Sequence, residues 1–198
     1  MFVTFEGLDG SGKSTQARLL AEALRRDGRE VVATREPGGT ALGERIRELL
    51  LGGDEVAPWT EAALFAAARA QIVEEVIAPA LARGAHVICD RYIDSSLAYQ
   101  GIARGLGLER VLELNLHAIG ALLPDRTYLL LIDPDEAARR LRDPSDRIER
   151  EDAEFRRRVA AAYLELAETY PERITAIDGT RPPDEIGRLI LDELRQHS

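Results

Sequence analysis

The run Gly7-Leu8-Asp9-Gly10-Ser11-Gly12-Lys13-Ser14 constrains this chain more than any other stretch, because it joins a strand-like segment directly to a helical one. It fits G-x-x-x-x-G-K-[ST], the Walker A signature, in which backbone N–H groups cradle phosphates and the serine hydroxyl takes Mg²⁺. Lys13 is the only lysine of the chain; the other 25 basic residues are arginine. A compact ammonium fits among phosphate oxygens inside a tight loop, where a planar guanidinium is too broad. Phe2-Val3-Thr4-Phe5 reads as a short buried strand, and Ser14 to Arg26 as a helix with Ala17, Leu20, Ala21 and Leu24 on one face. A strand, a glycine loop and a helix N-terminus together form an anion site made of unpaired amides and the helix dipole. The expected ATP-binding set is Gly7, Leu8, Asp9, Gly10, Ser11, Gly12, Lys13, Ser14 and Thr15.

Four further strand-like runs, Glu30–Thr34, His86–Cys89, Thr127–Ile132 and Arg173–Ile177, alternate with helical segments. Such alternation implies βαβ units and a parallel sheet covered on both faces. Thr40 is placed to cap a helix reaching about Leu51, and an alanine-rich helix is expected from about Thr60 to Ala82, kinked near Pro79. With 198 residues and no internal repeat or linker, the chain is expected to form one domain. No apolar run has the length of a membrane span, and the chain enters its first strand at once, leaving no room for a signal peptide; a cytoplasmic protein is expected. A net charge of −9 argues against a general nucleic-acid binder, yet leaves room for a small anionic substrate held by local arginines. Cys89 alone offers no disulfide and reads as a small buried residue, and His86, His117 and His197 lie too far apart to outline a zinc site. The heavy use of arginine points to a GC-rich or thermophilic source.

Ligands of open α/β sheets bind beyond the C-terminal ends of the strands, and the motifs fall there. After the second strand comes Arg35-Glu36-Pro37-Gly38-Gly39-Thr40, a binding edge or an ordinary capped loop. After the third comes Asp90-Arg91-Tyr92-Ile93-Asp94-Ser95-Ser96, in which Asp90 can hold Mg²⁺ with Ser14 and Arg91 can grip a second phosphate. After the fourth, the arginine-dense stretch from Arg139 to Glu151 is broken by Pro144. It reads either as a solvated face or as a lid that brings guanidinium groups onto transferring phosphates. After the fifth, Asp178-Gly179-Thr180-Arg181 is a turn that can line an adenine pocket or simply connect. Phe65 and Arg69 share a helix face, where an aromatic and a donor one turn apart can stack on a base and bond its edge.

Taken together, Phe5-Glu6-Gly7-Leu8-Asp9-Gly10-Ser11-Gly12-Lys13-Ser14-Thr15, Thr34-Arg35-Glu36-Pro37-Gly38-Gly39-Thr40, Asp90-Arg91-Tyr92-Ile93-Asp94-Ser95-Ser96-Leu97-Ala98-Tyr99-Gln100-Gly101 and Asp146-Arg147-Ile148-Glu149 resemble the thymidylate kinases over essentially the whole length. The resemblance implies a three-layer α/β fold of the P-loop NTPase class, with five parallel strands in the order 2-3-1-4-5, and a homodimer. It implies transfer of the γ-phosphoryl group of ATP to dTMP with Mg²⁺. In this reading Asp9 contacts the sugar 3′-hydroxyl and the region around the phosphates, and Arg35, Glu36, Pro37 and Arg91 line the monophosphate side. Phe65 stacks on thymine, Arg69 bonds a thymine carbonyl, Ser96 and Gln100 lie near the base, and Tyr99 lies beneath the sugar. Some members of the family carry an arginine inside the phosphate loop. Here Gly10 and Ser11 stand there, so the lid is expected to supply the catalytic arginine from Arg139, Arg140, Arg142 or Arg147. Lys13, Arg91, Asp9, Arg142 and Arg147 are the expected catalytic group, and Arg139 and Arg181 are expected near ATP. A kinase for another nucleotide, or an ATP-driven switch, is the alternative.

Overall fold

The computed structural model describes residues 1–52, 55–141 and 146–196. Five strands, β1 (Phe2–Glu6), β2 (Val31–Arg35), β3 (His86–Asp90), β4 (Arg126–Leu131) and β5 (Ile174–Asp178), form one all-parallel sheet in the order β2-β3-β1-β4-β5. The first strand sits in the centre, with the helix that follows it on one face of the sheet and the helices after β3 and β4 on the other, so a crevice opens beyond the C-terminal ends of the central strands.

Side chains on successive strand residues point to opposite faces, and the core divides accordingly. Val3, Phe5, Ile88, Tyr128, Leu130 and Ile177 pack on one side with α1 (Lys13–Arg26) and α9 (Pro183–Gln196). Phe2, Val87, Cys89, Leu129 and Ile174 pack on the other, beneath the helices that carry the substrate-facing motifs. Strands buried on both faces read as continuous apolar runs, as they do here.

Thr40 caps α2 (Ala41–Leu51) by accepting the Gly43 N–H at 2.9 Å, as its place before the helix predicts. The alanine-rich helix starts earlier than expected, with Pro58 in its first turn, and runs as α3 (Pro58–Ile72). A π-helical turn, Val73–Ile77, then leads into α4 (Ala78–Ala82). This wider turn lies immediately before Pro79, where the missing N–H and the bulk of the ring disturb the regular ladder. A second π-helical turn, Leu97–Ala103, follows the short α5 (Ile93–Ser96) and leads towards α6 (Leu108–Ile119). The chain continues from β4 into α7 (Pro134–Arg140), and α8 (Ala153–Thr169) returns it to β5. No described helix is long and apolar enough to cross a membrane.

Candidate active site

The phosphate loop follows β1 and ends on the first turn of α1, whose amides open into a cleft of about 440 Å³ lined by Gly12, Lys13, Ser14, Thr15, Asp90, Arg91 and Arg140. Lys13 is buried, donates to the Leu8 carbonyl at 2.9 Å and stands 3.5 Å from Asp9. Burial and the neighbouring Arg91 charge pull the Lys13 ammonium below its ordinary pKa, against the attraction of Asp9, Asp90 and Glu6. Across the cleft the Ser14 hydroxyl donates to the Asp90 carboxylate. One hydroxyl and one carboxylate side by side, open to solvent and phosphate, are the hard oxygen donors that Mg²⁺ takes while keeping waters and substrate oxygens as its other ligands.

Gly10 explains why this loop carries no arginine. Its φ is +83°, and a Cβ there would lie 2.8 Å from the Ala137 carbonyl oxygen and 3.3 Å from the Arg140 Cβ. α7 is thus pressed onto the phosphate loop, and a side chain at position 10 would push it away.

Arg91 occupies the left-handed region, with φ +70°. Such a conformation is costly for a non-glycine residue and persists only where the surroundings hold it. Its amide extends the ladder to Phe5 O at 2.9 Å, and its guanidinium meets Asp9, the Ser95 hydroxyl (3.1 Å) and the Tyr163 hydroxyl (3.2 Å), with the Tyr99 ring 5.5 Å away. Burial alone would raise the Asp9 pKa, but Arg91 and Lys13 together hold the carboxyl well below the usual carboxylate range. Behind Arg91 lies Glu6, fully buried at the end of β1. It accepts from the Tyr92 amide, Ser95 and Tyr163, so both hydroxyl protons are committed to it and their lone pairs face Arg91. The adjacent Cys89 thiol is buried, donates to the Arg91 carbonyl, and is pushed up in pKa by burial, which leaves it an inert packing residue.

A second cavity of about 110 Å³ continues from this junction, and shares Asp9, Glu36, Arg47, Arg91 and Glu149 with the phosphate cleft. Its volume is of the order that a single six-membered ring fills. Pro37, Leu51, Phe65, Ser95, Ser96, Tyr99 and Gln100 complete its walls, and Asp146, Ile148 and Glu149 roof it. Phe65 is half-buried against Ile46, Leu50 and Ala68. Tyr99 is wedged edge-on between Phe155 and Tyr163, with centroids at 6.1 and 6.3 Å. Arg35 lines the phosphate cleft, held by Glu44 at 3.0 and 3.1 Å.

Four expected site residues, Arg69, Arg147, Arg139 and Arg181, do not line the spaces expected of them. Arg69, expected on the thymine edge, is 1% exposed and lies outside the cavity wall. Its Nε bonds Glu36 at 2.7 Å, with Nη2 2.7 Å from the same carboxylate as an ion pair; Nη2 donates to the Tyr92 carbonyl at 3.0 Å, and Nη1 bonds Ser96 and Asn115. Four hydrogen bonds and the ion pair with Glu36 thus hold the guanidinium in place. Arg69 therefore braces the wall, while one oxygen of Glu36 is left buried without a partner at the cavity's edge. Burial pushes the Glu36 carboxyl up to about 7 against the pull of Arg69. Arg147, expected among the catalytic residues, lies outside the phosphate-cleft lining, and its guanidinium bonds Glu61 at 2.5 Å and the Leu50 carbonyl at 3.2 Å. Arg142 lies outside the described residues. Among the described lid arginines, Arg140 is the one that lines the phosphate cleft, tied to Glu136 at 3.0 Å and the Gly179 carbonyl at 3.3 Å. Arg139 and Arg181 stand outside that lining, on Glu136 at 2.6 Å and Glu185 at 2.8 Å.

The arrangement offers a polyphosphate cradle, a cation-competent pair of oxygens and a ring-sized cavity that meet at Arg91 and Asp9. The thymidylate kinase family profile matches residues 5–190. This chain belongs to the thymidylate kinase family. It is 46% identical to the thymidylate kinase of Caldanaerobacter subterraneus subsp. tengcongensis over 198 residues, covering 99% of this chain and 95% of that one. It is 52% identical to the thymidylate kinase of a Synechococcus species over 190 residues, covering 96% and 93%. The crystal structure of thymidylate kinase from Ehrlichia chaffeensis superposes with a TM-score of 0.83 at 34% identity, covering 98% of each chain. The fold and strand order expected from the sequence agree with that membership.

Sequence reading did not single out Arg47, which lines both spaces and donates to Pro37 O at 3.0 Å, or the buried carboxylates Glu6 and Glu61. A signal for Glu61 exists: it lies four residues before Phe65, on the same helix face, in an otherwise apolar stretch. Glu6 likewise is a carboxylate that ends a wholly buried strand.

Proposed function

We propose that this chain transfers the γ-phosphoryl group of ATP to dTMP, giving dTDP and ADP. The observation that carries the reading is the junction itself: Arg91 and Asp9 stand where a phosphate cleft and a ring-sized cavity meet. An acceptor monophosphate seated on Arg91 brings its oxygen in line with the γ-phosphorus of an ATP held by Lys13 and the loop amides. As that oxygen bonds phosphorus, the bridging oxygen leaves with ADP. The reaction needs little covalent help, only alignment and neutralisation of charge on the moving oxygens. Ser14 and Asp90 would hold Mg²⁺, which would supply neutralisation of phosphate charge. Arg140, lining the cleft from α7, is the described guanidinium best placed to reach the transferring group, with the lid spanning about residues 139–151 of a single domain.

On the acceptor side Phe65 stacks on the pyrimidine, Ser96 and Gln100 meet its edge, and Tyr99 underlies the sugar, where its bulk resists a 2′-hydroxyl. Arg35, Glu36 and Pro37 close the phosphate side. Membership of the family supports a homodimer in the cytoplasm, with ATP and dTMP as ligands rather than nucleic acid or membrane. ADP release followed across dTMP, dUMP, UMP, CMP and thymidine tests the reading. Strong release with dTMP and little with the ribonucleotides is expected; equal release with every acceptor would overturn the pocket assignment.

A further inference from the structure

Glu61 is 1% exposed, yet it belongs to none of the phosphate-handling groups described above. Its two carboxylate oxygens collect four hydrogen bonds from three places in the chain. Gln100 Nε2 donates to Oε1 at 2.8 Å; Arg104 Nε and Nη2 reach Oε1 and Oε2, each at 3.2 Å; and lid residue Arg147 donates through Nη2 to Oε2 at 2.5 Å. Arg104 also bonds Glu151 at 2.6 Å, and the Arg147 amide reaches Leu51 O at 3.3 Å. Burial would raise the Glu61 pKa, but the bonds from Arg104, Gln100 and Arg147 hold it below the ordinary value, so the group is ionised and only accepts.

An acceptor-only partner fixes the orientation of an amide. Gln100 must present its NH₂ to Glu61, and its carbonyl is the half left for the cavity that Gln100 lines. A carbonyl at that wall suits a ring that offers an N–H there, as the imide N3–H of thymine does. It opposes a cytosine ring, whose N3 is an acceptor. The same carboxylate takes the guanidinium of the lid, whose Asp146, Ile148 and Glu149 roof the cavity while Arg147 turns to Glu61.

Resting on the reading of this cavity as the base site, we infer that Glu61 is a positioning residue that reads the base through Gln100 and latches the lid through Arg147. Base recognition and lid closure are thereby joined at one carboxylate.

The test compares kcat/KM for dTMP and dCMP, with ATP and Mg²⁺, in wild type, Glu61→Gln, Arg147→Ala and the double variant. In Glu61→Gln the neighbouring amides can turn, and the preference for dTMP over dCMP is expected to fall about tenfold or more, the worth of one mis-set buried hydrogen bond. Arg147→Ala is expected to lower kcat with the preference unchanged, and to cost little more once Glu61 is already Gln. Glu61→Asp keeps the charge between the two arginines, and so the fold, but withdraws it from Gln100; the same loss of preference is expected there. An unchanged preference in both Glu61 variants, or a full additive effect of Arg147→Ala on Glu61→Gln, would overturn the inference. A wild type with no dTMP turnover would overturn the parent reading and the latch together.

Discussion

Replacing Arg69 by methionine keeps the length of the side chain and removes only its charge and donors. In the native structure Arg69 is sealed from solvent and bonds Glu36, Ser96, Asn115 and the Tyr92 carbonyl. Breaking a buried pair by removing one member costs about 3–5 kcal/mol, because the remaining carboxyl must either stay charged without a partner or take up a proton. For a chain of this size each kcal/mol lowers Tm by about 2–4 °C, so a fall of about 6–20 °C is expected at pH 8. The pH dependence follows from Glu36. Its carboxyl is raised by burial from 4.5 to about 7, so the folded state holds a proton that the unfolded state has released. Stability associated with Glu36 is therefore full below pH 4.5 and is lost as pH rises through about 7. Without Arg69 the folded pKa climbs further, by about 1–3 units for the loss of an adjacent opposite charge, and the loss continues to higher pH. At pH 5, Glu36 of the variant is protonated in the folded state and only the neutral acceptors suffer. Thermal unfolding of both proteins at pH 5 and pH 8, without ligands, is the assay. The Tm deficit at pH 8 should exceed that at pH 5 by about 2–6 °C, because the two proteins differ by about 1.0–1.4 kcal/mol over the interval between pH 7 and pH 8. Equal deficits at the two pH values would refute the buried-pair argument, and a negligible deficit at both would refute the role of Arg69 as a brace.

Three other outcomes are expected. Arg91→Ala should raise the KM for dTMP by an order of magnitude or more with a much smaller change for ATP, since Arg91 stands on the acceptor side of the junction; an unchanged dTMP KM contradicts this. Arg140→Ala should act mainly on kcat, by about 10³-fold or more if its guanidinium meets the transition state, and steady-state kinetics showing a loss confined to KM would remove it from that role. Asp90→Asn with Ser14→Ala should move the Mg²⁺ activation curve to higher concentration, read as activity against total Mg²⁺ at fixed ATP, and an unmoved curve would place the cation elsewhere.

What the sequence made legible is local. Gly7 to Thr15 hold phosphate-loop geometry within nine consecutive positions, Thr40 caps the helix it immediately precedes, and the five strands are short apolar runs bounded by turns. Asp90 and Arg91 could be placed because parallel sheets gather strand ends on one edge. What could not be read was pairing across distance. Glu61 and Arg147 lie 86 residues apart, and Glu6 and Tyr163 lie 157 apart. Arg69 has the spacing of a base-edge donor, but its burial under Glu36 is set by helices α3 and α6 closing on α5, which no single helical pattern encodes. Arg47 carries no motif at all; it reaches the site because α2 follows the turn at Pro37 and lays its polar face along the cleft.

The central claim is direct transfer between two bound nucleotides, and the fate of the γ-phosphate tests it most simply. With γ-labelled ATP, Mg²⁺ and dTMP, the label should appear in dTDP in step with ADP, with little inorganic phosphate formed and little turnover when dTMP is omitted. Label accumulating as inorganic phosphate at a rate indifferent to dTMP would contradict the account and mark the chain as an ATPase.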